Sequence, residues 1–222
     1  TKLIVIAYIL CHLWLTVLML PYGSLVATND IQSLLDGLLF TAQNKWDMPK
    51  EQIMEQMNKI AFHESKYGTE DYLSAQEGGG PGRGMFQFER NVEGEGQGAA
   101  HTAINRLIAQ LNIEEMGIPK FVSEMRGTDY DVSELSPQEQ QILFLGNLLQ
   151  KPDRKDKEGN IISKAGFYDT DGDGVHSDAE LANLWATHHQ AGTTPGTDEY
   201  DAMINTFTED LGEGYRKGLI ER

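Results

Sequence analysis

Between Gly78 and Gly98 the chain is too dense in glycine to form a helix, and this stretch divides an otherwise helix-forming sequence. Each glycine in a helix interior costs about 1 kcal/mol relative to alanine, so a run of them forces another conformation. The stretch is interrupted by Met85-Phe86-Gln87-Phe88. The pattern predicts a loop or short hairpin whose backbone approaches a neighbouring group closely.

Helical patterns flank this stretch. Asn29 or Asp30 can cap a helix with Ile31, Leu34, Leu35, Leu38 and Leu39 on one stripe. Asp47 can cap the next, with Pro49 in its first turn and Ile53, Met57, Ile60 and Ala61 on its apolar face. A third starts near Ala99 and aligns Ile104, Leu107, Ile108 and Leu111. Residues 113–135 are turn-rich. Ser136-Pro137-Gln138-Glu139 is a capping box that opens a helix with Ile142, Leu143, Leu145, Leu148 and Leu149. Residues 151–160 read as a charged loop. A helix from Ser177 or Asp178 aligns Leu181, Leu184, Trp185 and His188, and a last one holds Met203, Ile204, Phe207 and Leu211. No long alternating strand and no repeat appears. The expected fold is mainly α with a small glycine-rich loop or β element. Residues 28–222 form one domain of it, a size that supports a real core.

Residues 1–27 stand apart. Leu3 to Leu20 is nearly all apolar, broken by His12 and Thr16, and Pro21-Tyr22-Gly23-Ser24 ends the run. As a helix it reaches about 27 Å, close to the apolar thickness of a bilayer. It reads as a retained membrane anchor, as a helix buried in a larger assembly, or as a secretory signal with Lys2 as its charged end and a cut near Ala27. The favoured expectation is a hydrophobic N-terminal helix serving as anchor or assembly segment. The lone Cys11 lies within it, so neither a disulfide framework nor a cysteine zinc site can form within the chain. The formal charge is −16, from 34 acids and 18 bases. So acidic a chain, with no basic stripe, is not expected to bind nucleic acid.

One acid falls on an apolar stripe. Glu64 continues the face of Ile53, Met57 and Ile60, and Ser65-Lys66-Tyr67-Gly68 ends the helix just beyond it. Glutamate is rarely buried without a partner. Apolar surroundings and a helix C-terminus both disfavour a carboxylate, which is what an acid that protonates a glycosidic oxygen requires.

His63-Glu64-Ser65, followed by Gly82-Arg83-Gly84-Met85-Phe86-Gln87, resembles the soluble lytic transglycosylase and goose-type lysozyme superfamily. In that family a Glu-Ser pair closes a helix, and a Gly-(Leu/Met)-(Met/Phe)-Gln segment follows about twenty residues later. The longer form from Gly80 to Glu89 looks like lysozyme-like proteins of tailed bacteriophages. The resemblance covers under a third of the chain. It implies a lysozyme-like fold, peptidoglycan as substrate and Glu64 as the general acid cleaving the MurNAc-GlcNAc β-1,4 bond. It also implies Gln87 and the backbone of Met85 and Phe86 as the segment contacting the glycan. His189 and Gln190, in His188-His189-Gln190-Ala191-Gly192, would stand where the family has the Tyr and Asn that close the groove.

The outcome after protonation stays open. A hydrolase needs a second group to position water, and Glu77 is the first candidate, ahead of Glu89, Glu93 and Glu95. A transglycosylase uses the sugar's own 6-hydroxyl. The resemblance fits a virion-associated enzyme that penetrates the wall during genome delivery and acts in the periplasm, with residues 1–27 meeting membrane or other virion proteins. The alternatives are an inactive virion or tail component of lysozyme-like fold, a calcium-stabilised glycan-binding module, and a host-lysis endolysin with a membrane tether.

Residues 169–180, Asp-Thr-Asp-Gly-Asp-Gly-Val-His-Ser-Asp-Ala-Glu, fit the twelve-residue EF-hand loop. Asp169, Asp171, Asp173, the Val175 carbonyl, Ser177 and Glu180 occupy the ligand positions, and Gly174 the sharp turn. Four carboxylates so spaced repel one another without a cation. His176 replaces the usual aliphatic residue, and Gly159 and Gly166 make a poor preceding helix. These departures predict a solitary structural Ca²⁺ loop rather than a paired sensor.

Overall fold

The computed structural model describes residues 31–65, 82–89, 99–111, 122, 131–188 and 193–221. Six α-helices lie among them: α1 (Ile31–Trp46), α2 (Lys50–Ser65), α3 (Ala99–Gln110), α4 (Pro137–Gln150), α5 (Asp178–His188) and α6 (Asp198–Lys217). The protein is mainly α-helical. Two short antiparallel hairpins accompany the helices: β1 (Gly82–Arg83) with β2 (Phe88–Glu89), and β3 (Arg154–Lys155) with β4 (Ile161–Ser163). The apolar segment 1–27 lies outside the described residues. Among the described residues no helix is long and apolar enough to cross a membrane.

Helix α4 is the centre of the core. Every residue from Gln140 to Leu149 is buried, including the polar Gln140, Gln141 and Asn147. Ser136 starts it with the expected capping box, its side chain accepting from Glu139 N–H while Glu139 accepts from Ser136 N–H. α1 packs on α4 through Leu34, Leu35, Leu38 and Leu39, and α3 packs on it through Ala103, Ile104 and Leu107. The α3–α4 approach depends on Gly146, where a Cβ would lie 3.2 Å from Leu107 Cα. That is tighter than most packed contacts, so the Leu107 backbone would have to give way.

α2 joins this half to the pair α5–α6. Its start differs from the expected one. Asp47 takes a left-handed conformation (φ 54°) in the turn after α1 and does not cap α2. The Pro49 carbonyl accepts the first bond of α2, from Ile53 N–H at 3.0 Å. A second difference lies at 151–160, read as a loop, which forms half of the β3–β4 hairpin. Asp156 stabilises its turn by accepting from the backbone and side chain of Asn160. Ile161 and Ile162 are exposed, so no buried face announced this strand.

The glycine-dense stretch does form a hairpin over its described part. Gly84 to Gln87 make the turn, and Gln87 N–H donates to the Gly84 carbonyl at 3.1 Å. Gln140 binds it to α4, accepting from Met85 N–H at 2.7 Å and donating to the Leu135 carbonyl at 3.0 Å. Gly84 (φ 75°) lies against that Gln140 side chain, where any Cβ would collide with it. This is the close approach that the glycines predict.

Candidate functional site

Glu64 sits in the last turn of α2, half-buried. Its Oε1 accepts a hydrogen bond from the indole Nε1–H of Trp185 on α5. Trp185 is 5% exposed, so its N–H has no recourse to bulk water and needs an acceptor inside the protein. The expected burial of Glu64 is thus partial, and its apolar neighbour is a ring with one polar edge turned to the carboxylate.

His63 supports that ring. It meets Trp185 edge-on with centroids 4.3 Å apart, and Phe207 of α6 at 4.7 Å. Its Nδ1 lies 2.8 Å from Asp210 Oδ2, with the two side chains 9% and 22% exposed. An ordered path therefore runs from Asp210 through His63 and Trp185 to Glu64. It draws on α2, α5 and α6 and fixes the acid from behind. One turn earlier on α2, Lys59 Nζ pairs with Glu55 at 2.8 Å and with Asp178 at 3.1 Å. Tyr215 O–H donates to the same Asp178 carboxylate. Burial opposes the Lys59 charge, but Glu55 and Asp178 outweigh it and hold the ammonium above its ordinary value. This knot ties the first residue of α5 to α2 and α6.

The other residues expected at the glycan site separate into two groups. Met85 and Phe86 are core residues, 0% and 1% exposed, and Phe86 stacks on Phe144 at 4.2 Å. Their side chains therefore do not face a ligand, and Met85 N–H is committed to Gln140. Gln87 is half-buried, with φ 47° and Nε2 donating to the Gly84 carbonyl at 2.9 Å. Glu77, Glu93, Glu95, His189 and Gln190 lie outside the described residues. Glu89 is exposed on β2.

Residues 169–180 form a compact loop, with Gly172 (φ 78°) and Gly174 (φ 82°) at its turns. Asp169 accepts from Gly172 N–H at 2.6 Å and Gly174 N–H at 2.8 Å. Asp171 and Asp173 accept from the N–H two residues on. Oxygens of Asp169, Asp171 and Asp173 come within 4.8 Å of one another. The Gly174 bond, aided by that of Gly172 and opposed by desolvation, holds Asp169 below its ordinary value. Asp171 is held above it. The Asp173 N–H bond acts to lower it, but desolvation and the charges of Asp173 and Glu180 prevail.

Glu180 departs from the expected bidentate ligand. It stands outside the three-aspartate group and clasps the loop ends instead. Oε1 accepts from Thr170 N–H and O–H, and Oε2 from Ser177 N–H, while Ser177 caps α5. Desolvation opposes its charge, yet the Thr170 and Ser177 bonds and nearby His176 hold it down at about 2. Val175 is 60% exposed. The donor set is entirely hard oxygen, which suits Ca²⁺ or Mg²⁺ over a softer metal.

Sequence reasoning did not single out Trp185, Asp210 and Lys59 as partners of this region. The one usable signal was Trp185 itself, since a tryptophan on a buried stripe must find an acceptor. No protein-family model, no curated protein and no solved structure matches the chain.

Proposed function

We propose that this protein is a peptidoglycan-cleaving glycosidase of the lysozyme-like class, with Glu64 protonating the glycosidic oxygen. The Trp185–Glu64 hydrogen bond carries the reading. An acid that serves a transition state must be held in one place by groups that do not themselves move. Glu64 has that support from Trp185, His63 and Asp210. The resemblance of His63-Glu64-Ser65 and Gly84-Met85-Phe86-Gln87 to lytic transglycosylases points to the same acid. Water or the sugar's own 6-hydroxyl then completes the reaction, and 1,6-anhydro ends on released fragments mark the second route. The apolar residues 1–27 favour delivery by attachment, to a membrane or to a phage particle.

The test compares wild type with Glu64→Gln on purified peptidoglycan, in a zymogram and by turbidity. Clearing by wild type and none by a folded Glu64→Gln protein supports the reading. Absence of clearing by folded wild type overturns it.

A second reading concerns the loop at 169–180. We infer that it holds a structural Ca²⁺, because three aspartates converge there with no Lys or Arg paired to them among the described residues. Asp169, Asp171, Asp173, the Val175 carbonyl and Ser177 would hold the ion. Glu180 joins only by exchanging its bonds to Thr170 and Ser177. The ion supplies charge neutralisation and rigidity at the start of α5, the helix that bears Trp185. Isothermal titration with Ca²⁺ tests it, and absence of binding overturns it.

A further inference from the structure

Trp185 also lines a second feature, a notch of about 20 Å³ between α2, α4 and α5. Its polar edge is Asn147, Lys151 and His188, and Ile60 and Leu184 are among the apolar residues that line it. Arg106 of α3 adjoins, donating to Asn147 Oδ1 at 2.9 Å. Lys151 thus lines the notch, Arg106 is held at its Asn147 edge, and no carboxylate pairs with either cation among the described residues. Burial first, and the Arg106 guanidinium second, push the Lys151 ammonium down to about 8. Two desolvated like charges without a counterion are costly, and an anion removes the cost. His188 adds no third charge near neutral pH. Burial and Lys151 hold it down at about 4, and its Nε2 lies 3.0 Å from Ser163 Oγ. Asp153, the acid whose charge acts on His188, accepts from Ala165 N–H at 2.9 Å. The notch has room for one water-sized group, such as a single carboxylate oxygen.

We propose that Lys151 and Arg106 form a carboxylate-binding subsite beside Trp185, which receives a carboxylate of the ligand that reaches Glu64. Only its tie to the cleaved glycan rests on the glycosidase reading. In intact peptidoglycan the lactyl carboxyl of N-acetylmuramic acid is amide-linked to the stem peptide, so the matching free carboxylate is that of glycan from which the stem peptide has been removed; N-acetylglucosamine has none.

The experiment uses the full chain with lactate, N-acetylmuramic acid and N-acetylglucosamine as probes. Binding is read by calorimetry, and the Lys151 side-chain amine by NMR, assigned with Lys151→Arg. N-acetylmuramic acid should bind about tenfold or more tighter than N-acetylglucosamine, the scale of one charge-assisted hydrogen bond. Lys151→Met should erase the difference and Lys151→Arg keep it. In wild type the Lys151 signal should shift with lactate and with N-acetylmuramic acid, a readout that needs no variant to fold. Equal binding of the two sugars, no binding of either, or an unmoved Lys151 signal overturns the subsite. A chain that shows the preference in wild type and Glu64→Gln alike, yet clears no peptidoglycan, retains the subsite and loses the glycosidase reading.

Discussion

The indole Nε1–H of Trp185 donates to Oε1 of Glu64, joining the middle of α5 to the last turn of α2 across 121 residues of chain. Each partner solves the other's problem. The tryptophan is buried and needs an acceptor, and the half-buried carboxylate needs a donor. His63 and Phe207 pack on the ring and leave it little freedom to turn away.

Trp185→Phe removes that bond together with part of the buried ring. Phenylalanine keeps an aromatic ring against His63 and Phe207 but offers no donor. A lost hydrogen bond costs about 0.5–1.5 kcal/mol, to be read as a fall in the urea midpoint. Glu64→Gln is different. Its amide oxygen still accepts from the indole, so the midpoint should hold within about 1 kcal/mol. Activity on peptidoglycan should fall about 100-fold or more, the usual worth of a general acid. Equal activity in wild type and Glu64→Gln would falsify the role given to this acid.

Gln140→Leu should be among the most damaging single changes in the described core. Gln140 is 0% exposed and satisfies both Met85 N–H and the Leu135 carbonyl. Leucine leaves two buried backbone groups without partners, at about 1–3 kcal/mol each. Gly84→Ala should disturb the same junction from the other side, through its positive φ and the collision with Gln140. Hydrogen exchange at Met85 N–H reads both, and protection unchanged in either variant contradicts the assignment.

How much of this was legible follows from the range of each interaction. Leu34, Leu35, Leu38 and Leu39 announce α1 because a helix repeats every 3.6 residues. Ser136 and Glu139 announce α4 because a capping box closes within four residues. Asp47 misled, since capping and left-handed turns favour the same residue type. The backbone of Met85 and Phe86 was assigned to the glycan side by resemblance; a hairpin on α4 buries both side chains, which no local pattern announced. The β3–β4 hairpin carries no alternating pattern, because Ile161 and Ile162 both face solvent. At the site, Glu64 stands out by its position on a stripe. Its partners Trp185, through the indole, and Asp210, through His63, are set by how helices pack, which no local spacing encodes.

Calcium should stabilise the protein through residues 169–180. Ligand at 100 times its dissociation constant adds about 2.7 kcal/mol when the unfolded chain does not bind. Asp171→Asn keeps the oxygen that accepts from Asp173 N–H while removing one charge from the cluster. The variant should fold without calcium and gain less from it, so the rise in Tm on adding Ca²⁺ shrinks. Matching Tm values for wild type with calcium and with excess chelator exclude a structural ion.

His188 makes stability depend on pH in a window set by its environment. Burial, with Lys151 second, moves it from the ordinary 6.5 to about 4, with the Ser163 bond and the Asp153 charge opposing and Arg154 adding to the shift. Between those values the unfolded chain binds a proton that the folded chain refuses. Stability from the neutral ring is therefore complete above about 6.5. It is lost as pH falls toward 4, and below that both states are protonated and the loss stops growing. His188→Gln retains a side chain able to meet Ser163 Oγ and does not titrate. Urea midpoints between pH 7 and 4 should fall less steeply in the variant than in wild type. Parallel slopes place the acid sensitivity in groups other than His188.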